Sequence, residues 1–273
     1  MNALAIDVWA QPAPPGILAS PIFAPLVKRA RASERVALAA SPRNVVAAMD
    51  EAGISRLFLC AWCIADGWLI SNAEIAGMVA EFPDRFVGVA SARLDDPHAP
   101  SELETFVVQY GFKALRMVPW AWRRPPNHDS YRPLLDKCVE LGIPFCTQVG
   151  HAGPLMPSEP GRPIPYLDEL ALAYPSLTIV GGHIGYPWTD EMIALAWKYD
   201  NVYIDTSAYL PRYYPPQLID FMNSYGQDKV MFGTNFPMLS LRDCMDQALA
   251  LQMTERAKSK FLAENARRVF KLD

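Results

Sequence analysis

The residues able to do chemistry in this sequence cluster at the ends of short apolar runs. His183 closes Leu177-Thr-Ile-Val-Gly-Gly-His183, with small neighbours that leave room around an imidazole suited to moving protons near neutrality. Asp205 follows Val202-Tyr-Ile and precedes Thr206-Ser207. It is either a structural hydrogen-bonding acid or the base or partner that sets the His183 tautomer. Asn235, Gln148 and Gln11 bring amides that can orient a substrate or donate to an oxyanion, or simply bond to one another and to His183. Arg116 lies within Phe112-Lys-Ala-Leu-Arg-Met-Val118, where a buried guanidinium must be paired or face a ligand. It reads as a bidentate clamp on a substrate carboxylate or as one half of an internal ion pair, for instance with Asp7.

Aromatic residues accompany these groups. Trp9, Trp62, Trp120, Trp122 and Trp188 all fall at or just past the ends of apolar runs, a concentration that suits an aromatic-walled pocket for a planar ring. His151 and His128 sit in loop-like stretches and are expected to face solvent, His151 being the better candidate for substrate contact. Arg212, followed by Tyr213 and Tyr214, is a second clamp candidate or an exposed loop arginine. Cys60-Ala-Trp-Cys63 has the C-x-x-C spacing, yet no second pair exists for a zinc knuckle, so two packed thiols are expected. Ser207 stands in no Gly-x-Ser-x-Gly elbow and is a weak nucleophile candidate.

The elements that must position these side chains repeat. Strand-like runs occur at 4–10, 56–61, 85–90, 112–118, 144–149, 177–183, 202–206 and 230–234, mostly unalternated, as strands covered on both faces are. Amphipathic stretches lie between them, at 44–52, 72–81, 101–110, 131–141, 165–174, 190–198, 216–225 and 243–251, with 255–270 closing the chain. Gly53, Gly111 and Gly142 stand where a glycine ends a helix just ahead of the next strand. Eight strand-helix repeats predict an α/β chain forming a single (β/α)8 TIM barrel over 1–273, with its working site at the C-terminal ends of the strands. A doubly wound sheet is the rival, and no Gly-rich phosphate loop supports it. The proline-rich stretch Gln11–Pro42 breaks the repeat and reads as a cap over the barrel mouth.

Composition narrows the function classes. Hydrophobic residues make up 51% and charged residues 20%, and the net charge is -4, so the chain supports a sizeable core and carries no basic nucleic-acid footprint. The longest apolar runs are strand-sized rather than membrane-sized. Met1–Trp9 lacks the basic start of a signal peptide, and five unframed cysteines suit a reducing cytoplasm.

Several segments together resemble the amidohydrolase superfamily, in its amidohydrolase-related branch of ring-acid decarboxylases and pyrone-dicarboxylate lactonase. They are Ile6-Asp-Val-Trp-Ala-Gln11, Phe82-Pro-Asp-Arg-Phe-Val-Gly88, Gly111-Phe-Lys-Ala-Leu-Arg116, Gly142-Ile-Pro-Phe145, Gly182-His-Ile-Gly185, Asn201-Val-Tyr-Ile-Asp-Thr-Ser207, Phe232-Gly-Thr-Asn-Phe-Pro237 and Glu264-Asn-Ala-Arg-Arg-Val-Phe270. The resemblance implies five metal-ligand positions. Here they read Trp9, Gln11, Gln148, His183 and Asn235, so one of the usual donors remains. Neutral amides bind first-row metals weakly and Trp cannot ligate. The expectation is therefore no cofactor, the alternative being zinc or another divalent metal at a degenerate site including His183. Implied partners are a small-molecule substrate and, by analogy with barrels of this branch, a second copy of the chain. The expected activity is a metal-independent, lactonase-like hydrolase of a small cyclic or aromatic, carboxylated substrate. His183, Asp205 and Asn235 would be catalytic, and Trp9, Gln11, Arg116, Trp120, Gln148, His151 and Trp188 would bind substrate. A decarboxylase of a ring-derived acid and a non-catalytic binding barrel are the alternatives.

Overall fold

The chain is described from a computed structural model over residues 5–13 and 17–273. Met1 to Leu4, including the start of the expected first strand, and Pro14 to Gly16 of the expected cap lie outside the described residues. Eight parallel strands form one sheet: β1 (Ala5–Ala10), β2 (Ile54–Cys60), β5 (Phe86–Ala90), β6 (Ala114–Met117), β7 (Phe145–Gln148), β8 (Ile179–Gly182), β9 (Val202–Asp205) and β10 (Val230–Met231). Neighbours in sequence are neighbours in space, and helices alternate with the strands, which makes the chain a TIM barrel. The two remaining strands, β3 (Trp62–Ile64) and β4 (Gly67–Ile70), pair antiparallel as a hairpin after β2. The sequence reading did not anticipate this hairpin, because three- and four-residue strands carry no usable period.

The strands read as continuous apolar runs because both of their faces are covered. One apolar layer fills the space between strands and helices, with Leu57, Leu59, Leu115, Phe145, Ile179 and Ile204 among its members. A second, separate cluster fills the barrel itself, drawing on Ile6, Val8, Phe58, Val87, Val89 and Val180. Phe270 closes its lower end, with its ring centroid 4.6 Å from that of Phe58. The helices before β2, β6 and β7 end at Gly53, Gly111 and Gly142 in the left-handed conformation, where a side chain would be strained. The expected helix 255–270 is not continuous: a π-helical turn occupies Lys260–Glu264, and within it the Phe261 carbonyl accepts the Phe232 N–H at the end of β10.

The long excursion after β1 folds back over the mouth, as expected of a cap. It contains the short helices Ala24–Arg29 and Ser33–Leu38. Arg35 ties it to the far side of the barrel by donating to the carbonyls of Pro237 and Met238 and to its own Ala30.

The barrel closes where β1 meets β10, and there the sheet ladder is thin. Val8 N–H donates to the Phe232 carbonyl, Asn235 N–H to Trp9, and Gln11 N–H to Phe236. One buried carboxyl fastens this seam. Asp7 Oδ1 accepts the main-chain N–H of Trp9 and of Thr234, each at 3.0 Å, and Oδ2 accepts the Thr234 hydroxyl at 2.5 Å. Thr234 Oγ1 in turn accepts the Phe236 N–H. Burial pushes the Asp7 carboxyl up to about 7, against the pull of its bonds to Thr234 and Trp9. Asp7→Ala leaves three buried donors unpaired and is expected to cost about 3 kcal/mol or more, at roughly 1–3 kcal/mol per group. Asp7→Asn keeps the acceptor for both N–H groups and should cost less than half as much. Urea denaturation of the two variants checks this order.

Candidate active site

The strand ends around the mouth enclose a cavity of about 190 Å³. Its floor is polar, formed by Gln11 after β1, Gln148 at the end of β7, His183 after β8 and Asn235 after β10. Its walls are apolar and aromatic. They come from Phe23, Leu26 and Val27 of the cap, Trp62 and Ile70 of the hairpin, Trp120 after β6, and Met238. His151 and Tyr209 stand at the rim, with a 3.0 Å hydrogen bond between the Tyr209 hydroxyl and His151 Nδ1.

Backbone strain concentrates here. His183, Ile184, Ala208 and Asn235, all just past strand ends, hold positive φ between 51° and 69°. Such conformations cost about 1–3 kcal/mol each and persist where surrounding contacts enforce them. At Asn235 the contacts are its N–H bond to Trp9 and the amide bond of its side chain to Gln11.

His183 and Asp205 are joined through Ser207. The Ser207 hydroxyl lies 2.6 Å from His183 Nδ1, and its main-chain N–H donates to Asp205 Oδ1 at 2.8 Å. Burial pushes Asp205 up to about 6, partly opposed by the Ser207 hydroxyl and N–H, by Arg116 and by the His183 N–H. Burial, then the Arg116 charge, then His151 push His183 down to about 3, so its imidazole is neutral at physiological pH. With Nδ1 occupied by Ser207, Nε2 is the ring nitrogen available to the cavity. Gly182 makes this packing possible. A Cβ there would lie 2.7 Å from both Asp205 Oδ2 and the Trp9 ring.

Three expected substrate contacts are not in the cavity. Arg116 is fully buried beneath the floor, its guanidinium 4.5 Å from the Trp9 ring centroid and 4.8 Å from that of Trp62. It cannot clamp a substrate carboxylate, and it forms no ion pair with Asp7. Trp9 is also buried below the floor, its ring centroid 5.0 Å from that of His183. Trp188 turns outward, with Arg162 over its ring. Trp122 is buried outside the lining, so only Trp62 and Trp120 of the five tryptophans wall the cavity. Asp205 does not line the cavity either and is joined to the His183 ring through Ser207.

Arg212 stacks on Tyr213 at the surface rather than in the cavity. His128 accepts the Ser130 N–H away from the cavity. Cys60 and Cys63 are buried free thiols, pushed by burial up to about 11 and about 12, as packed thiols should be. The sequence reading missed Ser207 as a link, and Tyr209 and the cap residues as walls. The Asp-Thr-Ser spacing was the available signal for Ser207; the cap residues had none.

Solved structures and curated proteins share this architecture. A TIM-barrel protein of Bordetella bronchiseptica is 25% identical with a TM-score of 0.85, covering 98% of each chain. Gamma-resorcylate decarboxylase of Rhizobium radiobacter is 26% identical over 74% of this chain and 75% of its own. A dihydroxybenzoic acid decarboxylase of Polaromonas, 22% identical with a TM-score of 0.74 over 100% and 98% of the two chains, was solved with bound manganese and the inhibitor 2-nitroresorcinol. That manganese overturns the expectation that a barrel of this kind works without a cofactor. The donors present here nevertheless differ from a ready-made manganese site. Among the described residues no three His, Cys, Asp or Glu converge, and the Trp9 ring stands against His183, the one imidazole on the floor. Manganese favours carboxylate and water oxygens, whereas this floor offers amides. No helix among the described residues is long and apolar enough to cross a membrane. The Amidohydrolase (Amidohydro_2) family matches residues 70–272, spanning the strand ends that carry Arg116, Gln148, His183, Asp205 and Asn235, and the chain belongs to that family.

Proposed function

We propose that this protein is a carboxy-lyase that removes carbon dioxide from a single-ring hydroxylated aromatic acid. The observation that carries the reading is the His183–Ser207–Asp205 chain ending in an aromatic-walled cavity. The activity of the curated relatives, gamma-resorcylate decarboxylase, supports a lyase over the expected lactonase-like hydrolase. The residue after β10 supports it too. Asn235 cannot take a proton from water, as a hydrolytic base must. The size is suitable, since a cavity of about 150 Å³ accepts benzene.

The chemistry needs one proton per turnover. The ring carbon bearing the carboxylate is protonated, the bond to the carboxyl carbon breaks, its electron pair restores the aromatic ring, and carbon dioxide leaves. His183 Nε2 delivers the proton while Nδ1 recovers one from the Ser207 hydroxyl, which recovers one from Asp205 through the hydrogen bond between their side chains. After product release solvent reprotonates Nε2 through the cavity, and the relay runs back through Ser207 to return a proton to Asp205. Throughout, the imidazole shuttles between neutral tautomers, in keeping with its depressed basicity. Trp62, Trp120 and Phe23 hold the ring plane, and the amides of Asn235 and Gln148 hold its polar substituents.

Hydroxybenzoates are expected to release carbon dioxide, followed by loss of their ultraviolet absorbance, in parallel reactions with and without added manganese. His183→Gln should lower kcat about 100-fold or more. Wild-type turnover in that variant would remove His183 from the mechanism, and lactone hydrolysis without decarboxylation would reverse the reading.

The relay donates only while Asp205 is protonated. Turnover should therefore fall as pH rises through about 6, with no limb at the usual histidine value. Asp205→Asn should abolish the limb near pH 6 and lower kcat about 100-fold, which a kcat–pH profile of both proteins checks.

A further inference from the structure

We infer that the site selects hydroxybenzoic acids that carry a small alkyl group, and no hydroxyl, on the ring edge opposite the carboxyl group. The inference deepens the carboxy-lyase reading, from which it takes the placement of the carboxyl edge on the polar floor.

The cap meets the cavity with one face of the short helix Ala24–Arg29 and its two flanking residues. Phe23, Leu26, Val27 and Ala30 recur at the i, i+3, i+4 and i+7 spacing of a helix face, and all four line the cavity. The basic residues that interrupt or follow this stripe, Lys28, Arg29 and Arg31, are exposed. The stripe therefore offers a ligand aliphatic and ring carbon atoms and no hydrogen-bonding side chain. Leu69 and Ile70 of β4 add to the apolar wall, and Met238 packs with Val27 in one buried cluster.

The polar groups beside this wall are engaged or enclosed. The Gly153 carbonyl accepts from Arg29, and those of Pro237 and Met238 accept from Arg35. The indole N–H groups of Trp62 and Trp120 are buried and make no hydrogen bond among the described residues, so these rings meet the cavity through carbon. Hydrogen-bonding side chains lie instead on the floor and at the rim, where His151 and Tyr209 bond to each other. A ring seated with its carboxyl edge on the floor thus turns its far edge to a surface that accommodates a methyl group and leaves a hydroxyl unpaired. Burial of the methyl group strengthens binding about fourfold. Burial of an unpaired hydroxyl weakens it roughly fivefold or more.

The test uses 4-methylphenol and hydroquinone, which differ only in the polarity of the group opposite the anchoring hydroxyl. Neither has a carboxyl group to lose, so titration calorimetry reads binding without turnover. 4-Methylphenol should bind about fourfold more tightly than phenol and at least about tenfold more tightly than hydroquinone. 2-Methylphenol, whose methyl group lies beside the anchoring hydroxyl and so at the floor, should gain nothing over phenol. Equal gains for the two methylphenols would mean unselective hydrophobic binding and overturn the inference, as would equal affinity for 4-methylphenol and hydroquinone. The double variant Leu26→Asn, Val27→Thr supplies hydrogen-bonding groups to the cap stripe and should shrink the ratio about threefold or more. An unchanged ratio in the folded variant refutes the role of the cap, and the wild-type ratios decide if the variant does not fold. Among the acids, kcat/KM should be higher for 2-hydroxy-4-methylbenzoate than for 2,4-dihydroxybenzoate. Persistence of the phenol ratio with no acid turned over would sink the carboxy-lyase reading alone, and turnover with the opposite ranking would sink the inference alone.

Discussion

Asp7 is the constraint on which the rest of the structure depends. A barrel must join its first strand to its last, and here β10 supplies only two residues to the sheet. The Asp7 carboxyl supplies what the ladder lacks, accepting from both sides of the seam and from the Thr234 hydroxyl. Burying a carboxyl is costly unless its oxygens are hydrogen-bonded, and its partners are Trp9 in β1 and Thr234 just past β10. The same bonds set the path of the chain from Thr234 to Phe236, and with it the position of Asn235.

The mouth is built around that seam from residues held in unfavourable backbone conformations. His183, Ala208 and Asn235 lie at positive φ beside one another in space, after three successive strands. Glycines beneath them admit the Asp205 carboxyl and the Trp9 ring to distances a side chain would forbid. The result is a layer in which an arginine, two acids and a neutral histidine share one buried volume. Each perturbs the others. Arg116 helps to keep His183 uncharged and draws Asp205 back toward the carboxylate form.

Family membership and ligand set diverge in an informative way. The manganese-bound decarboxylase of Polaromonas has the same barrel, and its bound inhibitor is a hydroxylated ring. This chain shares the barrel and has His183 after β8. At the other positions where the resemblance implies metal ligands it carries Trp9, Gln11, Gln148 and Asn235. Two of them are joined, since Gln11 and Asn235 bond to each other, and Gln11 bonds in turn to Arg116.

Much of this was legible in the sequence, because it is local. Unalternated apolar runs follow from strands covered on both faces, and glycines after amphipathic stretches follow from left-handed helix ends. Strand-end residues must meet at the mouth of any parallel barrel, so His183, Gln148, Asn235 and Gln11 could be placed together from their positions alone. What the sequence could not carry was the direction of each side chain and the depth at which it sits. Arg116, Trp9 and Trp188 share the strand-end signature, yet two lie under the floor and one points outward. Period and spacing are blind to that, since layer depth in a barrel depends on strand stagger and on what fills the volume below. The Ser207 link, the cap residues that wall the cavity and the bonds from Gln11 to Arg116 and Asn235 join residues up to 224 positions apart, so only tertiary packing decided them.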